Sequence, residues 1–160
     1  KLNNELDKIK IFFDNKKIET KKLEFLLNQE TNDDFNLLKD EAIKGNKSLT
    51  NKLLGSTFFE NDKANYYLNT INKSFMRLSE ISKKTTSLSI EETINQIKPP
   101  VFWKDKPNLI MQSKKWNSIK IKKVLKDIYS TEIKVKTSSV IKKDLIIKKL
   151  ILDICNLANS

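Results

Sequence analysis

The sequence predicts an all-α protein, a helical bundle, and three observations carry that expectation. Apolar residues recur at helical spacing through almost every segment. No stretch reads convincingly as a strand, and no internal repeat is found. The one crowded irregular stretch, Lys98-Pro-Pro-Val-Phe-Trp-Lys-Asp-Lys-Pro107, is a stop and a restart. Two adjacent prolines end a helix because they lack amide donors and restrict the residue before them. Pro107 then fits the first turn of a new helix, where a missing N–H costs nothing. A length of 160 residues suits one ordinary domain, or one domain plus a fragment of another.

The elements follow in order. Leu2, Leu6, Ile9 and Phe13 line one face of a first helix, and a turn begins at Asp14. Thr20 can cap a short helix carrying Leu23, Leu26 and Leu27. Residues 28–34 are polar and read as a linker. Phe35, Leu38 and Ile43 mark another helix, ended by Gly45. The next carries Leu49, Leu53 and Leu54, with Gly55 inside or near its end. Asn61 or Asp62 opens the most regular helix, with Ala64, Tyr67, Leu68, Ile71, Phe75, Leu78 and Ile81 on one stripe. Ser89 and Glu92 form a capping box for a short helix ending at the prolines. After Pro107 come Leu109, Ile110 and Gln112. Ser118 can then cap a helix carrying Ile121, Val124, Leu125, Ile128 and Val135.

The last helix differs from the rest. Leu145, Ile146, Ile147, Leu150, Ile151, Leu152, Ile154 and Leu157 cover most of its circumference, and lysines with Asp153 leave a narrow polar side. A helix this apolar is buried on several faces. Either it is the central core helix, or part of it meets another subunit.

Several chemistries are excluded. There is no histidine, so His-based acid–base catalysis and His-ligated zinc are absent. One cysteine rules out clustered thiolates, and two glycines leave no Gly-rich phosphate cradle. Asp33-Asp34 and Glu91-Glu92 sit at expected helix starts, where negative charge favours the helix dipole. No cofactor is expected, and the chain reads as a non-enzyme. Cys155 alone cannot form an internal disulfide, which fits a cytoplasmic setting, and it reads as a small buried hydrophobe. No apolar run approaches the roughly 20 residues of a membrane span, so no membrane partner is expected. The chain lacks an initial methionine and reads as a piece of a longer protein.

Two features remain for binding. Of the net charge of +11, residues 98–160 hold 15 Lys against 5 Asp and Glu, whereas residues 1–97 hold 16 Lys and Arg against 15 acids. Lysines in that half can neutralise phosphates without reading sequence. Lys, Asn and Ile are over-used, so codon bias towards AT is a second source of the same charge. Phe102, Trp103 and Trp116 lie beside lysines. Such rings either stack on single-stranded bases or plug a core and anchor an interface.

The order of segments resembles the C-terminal part of the delta-subunit family of bacterial DNA polymerase III clamp loaders. Glu5-Leu-Asp-Lys-Ile and Lys17-Ile-Glu-Thr look like the end of that family's lid domain. Phe35-Asn-Leu-Leu-Lys-Asp-Glu-Ala-Ile-Lys-Gly resembles the helix-to-glycine segment after it. Pro99-Pro-Val-Phe102 with Gln112-Ser-Lys-Lys-Trp116 is similar to its Phe and Gln-x-x-x-Trp pattern, and Glu132-Ile-Lys-Val-Lys136 to its Glu-x-x-x-Lys. The likeness spans nearly the whole chain through short motifs, departing mainly by lysine for arginine and by Asn, Ile or Lys for Ala, Leu and Arg.

The resemblance implies a lid remnant over residues 1–30 and a helical collar domain over residues 31–160, without the AAA+-like domain that opens the clamp. It implies a clamp-loader component of DNA replication with no ATP site of its own. Its partners would be subunits of the gamma/tau and delta-prime types in a hetero-pentamer. It would reach the sliding clamp only through the missing domain, and primed DNA weakly. Candidate DNA contacts are Phe102, Trp103, Lys104, Lys106 and Lys136, with one ring of the Phe102–Trp103 pair buried and the other partly exposed. Candidate subunit contacts are Ile147, Leu150, Ile151 and Ile154. The alternative is an autonomous basic helical module that binds nucleic acid.

Overall fold

The computed structural model describes residues 29–85, 87–138 and 141–160. Seven α-helices fill most of that length, and no strand occurs among the described residues. The helices are α1 (Gln29–Lys44), α2 (Lys47–Ser56), α3 (Ala64–Lys84), α4 (Ile90–Gln96), α5 (Lys106–Lys115), α6 (Ser118–Thr137) and α7 (Lys143–Leu157). The expected helices over Leu2 to Phe13 and after Thr20 lie outside the described residues, as does nearly all of the expected lid remnant. One boundary moves. Residues 29–34, expected as linker, are the first turns of α1. The acids of that stretch are what a helix N-terminus favours, so polarity there is a start signal and not a break.

Local chemistry sets the ends. Gly45 adopts φ +78°, and the amide of Asn46 bonds back to the Glu41 carbonyl at 3.0 Å, a Schellman close of α1. Asn46 then caps α2, its side chain accepting from the Leu49 amide at 3.3 Å. A 3-10 turn at Asn61–Lys63 leads into α3, whose buried residues are the seven of the predicted stripe. The Ser89–Glu92 capping box forms reciprocally: Ser89 Oγ accepts from the Glu92 amide at 3.2 Å, and Glu92 Oε2 accepts from the Ser89 amide at 3.0 Å. Pro107 sits in the first turn of α5. The cap of α6 is Asn117 and not Ser118. Asn117 is extended, and its Oδ1 accepts from the Lys120 amide at 2.9 Å, which makes Ser118 the first helical residue.

α7 is the central helix. It packs against α1, α2, α3 and α6, and α3 packs along α6. Near the start of α1, the Phe35, Phe59 and Tyr67 rings form a cluster with centroids 4.5–6.0 Å apart. The Tyr67 hydroxyl accepts from the Glu60 amide at 3.1 Å, and burial pushes its phenol above the ordinary value. At the opposite end, Asn159 Nδ2 donates to the carbonyls of Gly45 and Cys155, both at 2.8 Å. That side chain joins the C-terminal ends of α1 and α7. Cys155 is buried, its Sγ 3.6 Å from Thr50 Oγ1 on α2.

Candidate functional site

Two surfaces stand out. The first is the loop between α4 and α5. Ile97 and Val101 are buried on either side of the prolines and pin the loop to the core. The Asp105 amide bonds to the Phe102 carbonyl at 2.9 Å, closing a tight turn with Phe102 and Trp103 at its outer corner. Both rings face solvent, Phe102 at 58% and Trp103 at 67% exposure. Their centroids are 5.9 Å apart, tilted by 49°, and Lys104 Nζ lies 5.4 Å from the Trp103 centroid. The expectation of one buried ring and one exposed ring is therefore corrected. Val101 takes the core position, so neither aromatic is needed there.

The remaining candidates for DNA contact do not gather at this loop. Lys106 turns back to α4, donating to Asn95 Oδ1 at 2.6 Å. Lys136 stands on the last turn of α6, paired with Glu132 at 2.6 Å. Trp116 is the plug of the trio. It is 4% exposed, its Nε1 donates to the Ile43 carbonyl at 2.8 Å, and its ring meets Phe75 edge-on at 4.8 Å. Gln112 is buried one turn earlier and donates to Asp40 at 3.3 Å. Beside it a polar cleft of about 360 Å³ opens between α1, α3 and α5. Sequence periodicity gave no sign of that cleft, because its walls are polar residues from separate elements.

The second surface is a groove of about 830 Å³ between α6 and α7. The four candidate subunit contacts on α7 are corrected here. Ile147, Leu150, Ile151 and Ile154 are all buried within this chain. Leu150 and Ile154 form part of the groove wall, and none of the four is more than 3% exposed. The apolar residues that do face solvent are Leu145 and Leu152 on α7 (54% and 37% exposed) and Ile141 just before it. Ile146 and Leu157 are half-buried and line the groove with Leu145. Leu145 and Leu152 are seven residues apart, so they share one side of the helix with Lys149 and Asn156. That placement of two leucines among polar positions was the available signal. Lys149 donates to Asp153 at 2.8 Å on the rim, and this bond raises its pKa.

No group of His, Cys, Asp and Glu fit for a metal ion occurs among the described residues. No helix among them is long and apolar enough to cross a membrane. No protein-family model, curated protein or solved structure matches the chain.

Proposed function

We propose that the chain is the C-terminal, non-catalytic part of a delta-type subunit of a DNA polymerase III clamp loader. In this reading it acts in the cytoplasm as an assembly module and joins gamma/tau-type and delta-prime-type subunits to help load the sliding clamp onto primed DNA. The observation that carries the reading is that Ile141 and Leu145 at the α6–α7 groove, and Leu152 farther along α7, are left exposed. Exposed apolar side chains beside an apolar-lined groove are what association buries. The all-helical bundle and the segment order that resembles the family agree with it. The test is co-elution with clamp-loader subunits on size exclusion. Leu145→Asp with Leu152→Asp abolishes co-elution while helical content and melting are kept. Unchanged co-elution places the contact elsewhere, and no co-elution of the unmodified chain removes the reading.

A second reading, an autonomous nucleic-acid-binding module, is favoured by one observation: both loop rings are exposed beside Lys104. A paired exposed platform is suited to stacking on unpaired bases. Titration of a labelled single strand with the chain and with Trp103→Ala tests it.

A further inference from the structure

We propose that the outward face of α6 is a nucleic-acid surface that follows a phosphate backbone. This inference rests on α6 alone. It requires neither the clamp-loader reading nor the loop aromatics.

The apolar face of α6 is committed to the core through Ile121, Val124, Ile128 and Val135. Everything on the opposite side faces solvent, and it is dominated by Lys122, Lys123, Lys126 and Lys134. None of these four makes an ion pair among the described residues. Of the two acids of the helix, Glu132 is taken up by Lys136. Asp127 lines the α6–α7 groove together with Lys123 and Lys134 and acts also on Lys149, so Lys122 and Lys126 are the two of the four that lie outside that groove. The lysines and Lys136 span about 21 Å of helix at ~1.5 Å per residue. That length equals about six base-pair steps at ~3.4 Å. Tyr129 stands in the middle of the array at 66% exposure, placed to offer its phenol to a phosphate or sugar.

The array of separated charges suits a linear polyanion. A lipid surface is the poorer fit. Interfacial helices need a continuous apolar face free to enter the headgroups, whereas the exposed Ile119, Tyr129 and Ile133 are interleaved with lysines. Lysines without an ion pair among the described residues also stand on α2 and α5; α6 differs in carrying four of them along one helix.

The experiment is fluorescence anisotropy of the whole chain with a labelled duplex of about 20 base pairs, at several salt concentrations between about 50 and 200 mM. Four engaged lysines give a log–log salt slope of about −3 to −4. Lys122→Gln with Lys126→Gln lowers the slope magnitude by about 2. Lys47→Gln with Lys52→Gln removes the same charge from exposed positions on α2 and leaves the slope unchanged. Circular dichroism confirms that each variant is folded. Equal losses in the two variants mean that net charge alone binds, and overturn the proposal. So do a slope indifferent to the α6 substitutions, an absence of duplex binding at the lowest salt, and binding confined to anionic vesicles. The α6 variant still co-elutes with clamp-loader subunits if the assembly reading holds, so the two ideas fail separately.

Discussion

Trp103 and Trp116 look alike in the sequence and do opposite things in the fold. Each is an indole next to lysine in the basic half of the chain. Trp116 is enclosed, with its N–H on the Ile43 carbonyl and its edge on Phe75. Trp103 is open to solvent, with a lysine ammonium near its face. The difference teaches that an aromatic's fate is decided by what completes its polar end. The α1 carbonyl at Ile43 gives the buried indole a partner, and a buried N–H without one is costly. On the loop, Val101 already fills the core, so the second indole is left to water.

The largest test of this contrast is Trp116→Ala. It removes a fully packed ring and leaves the Ile43 carbonyl without its donor, so it costs about 3–5 kcal/mol, read as a lower denaturant midpoint. Trp103→Ala shifts the same midpoint by less than about 0.5 kcal/mol. Comparable losses from the two would end the contrast.

A smaller effect probes the carbonyl side of the joint. Gly45→Ala forces a side chain into a positive φ, which costs about 1–2 kcal/mol. Its Cβ would also lie 2.8 Å from Asn159 Nδ2, displacing the side chain that ties α1 to α7. Thermal melting should fall accordingly, and Gly45→Ala with Asn159→Ala should lose less than the sum of the single changes.

Smaller still is the anchoring of the loop side. Ser89→Ala removes the cap of α4 and costs about 1 kcal/mol. The cap also has a pH signature. Hydrogen bonds from the Ser89 hydroxyl and amide hold the Glu92 carboxyl below its ordinary range. A carboxyl depressed by folding stabilises above its unfolded pKa, and that contribution fades as pH falls through the folded pKa. Stability of the unmodified chain should therefore drop on acidification through the carboxylate range more than that of Ser89→Ala. The least costly change is Trp103→Phe. It should leave one indole with blue-shifted emission and little acrylamide quenching, and a remaining red-shifted signal would mean that Trp116 is not enclosed.

Much of the architecture was legible because periodicity and caps are local. The α3 stripe from Ala64 to Ile81 and the Ser89–Glu92 box are written in a few residues each, and both appear as read. The α6 cap was misplaced by one residue because Asn117 and Ser118 are both good caps, and only backbone geometry chooses between them. The polar stretch before Phe35 was misread because acids serve linkers and helix starts alike. The α7 contacts failed for a different reason. When apolar residues cover most of a helix, spacing says that it is buried but not which side its neighbours take. The neighbours α1, α2, α3 and α6 claimed Ile147, Leu150, Ile151 and Ile154, and left Leu145 and Leu152 outside. The loop rings could not be placed from spacing either, since Val101 beside them settles the matter through a tertiary contact.

Cys155 gives the molecule a built-in clock. It is the single thiol of the chain, it lies on the central helix, and it is sealed against Thr50 of α2. An alkylating reagent can reach it only when α7 and α2 part. The rate of labelling under native conditions therefore reports how often that seam opens, by local fluctuation or by global unfolding. At saturating reagent the rate becomes the opening rate itself. Any ligand that tightens the packing around α7 would then be visible as a slower clock, without a dye, a tag or a known activity.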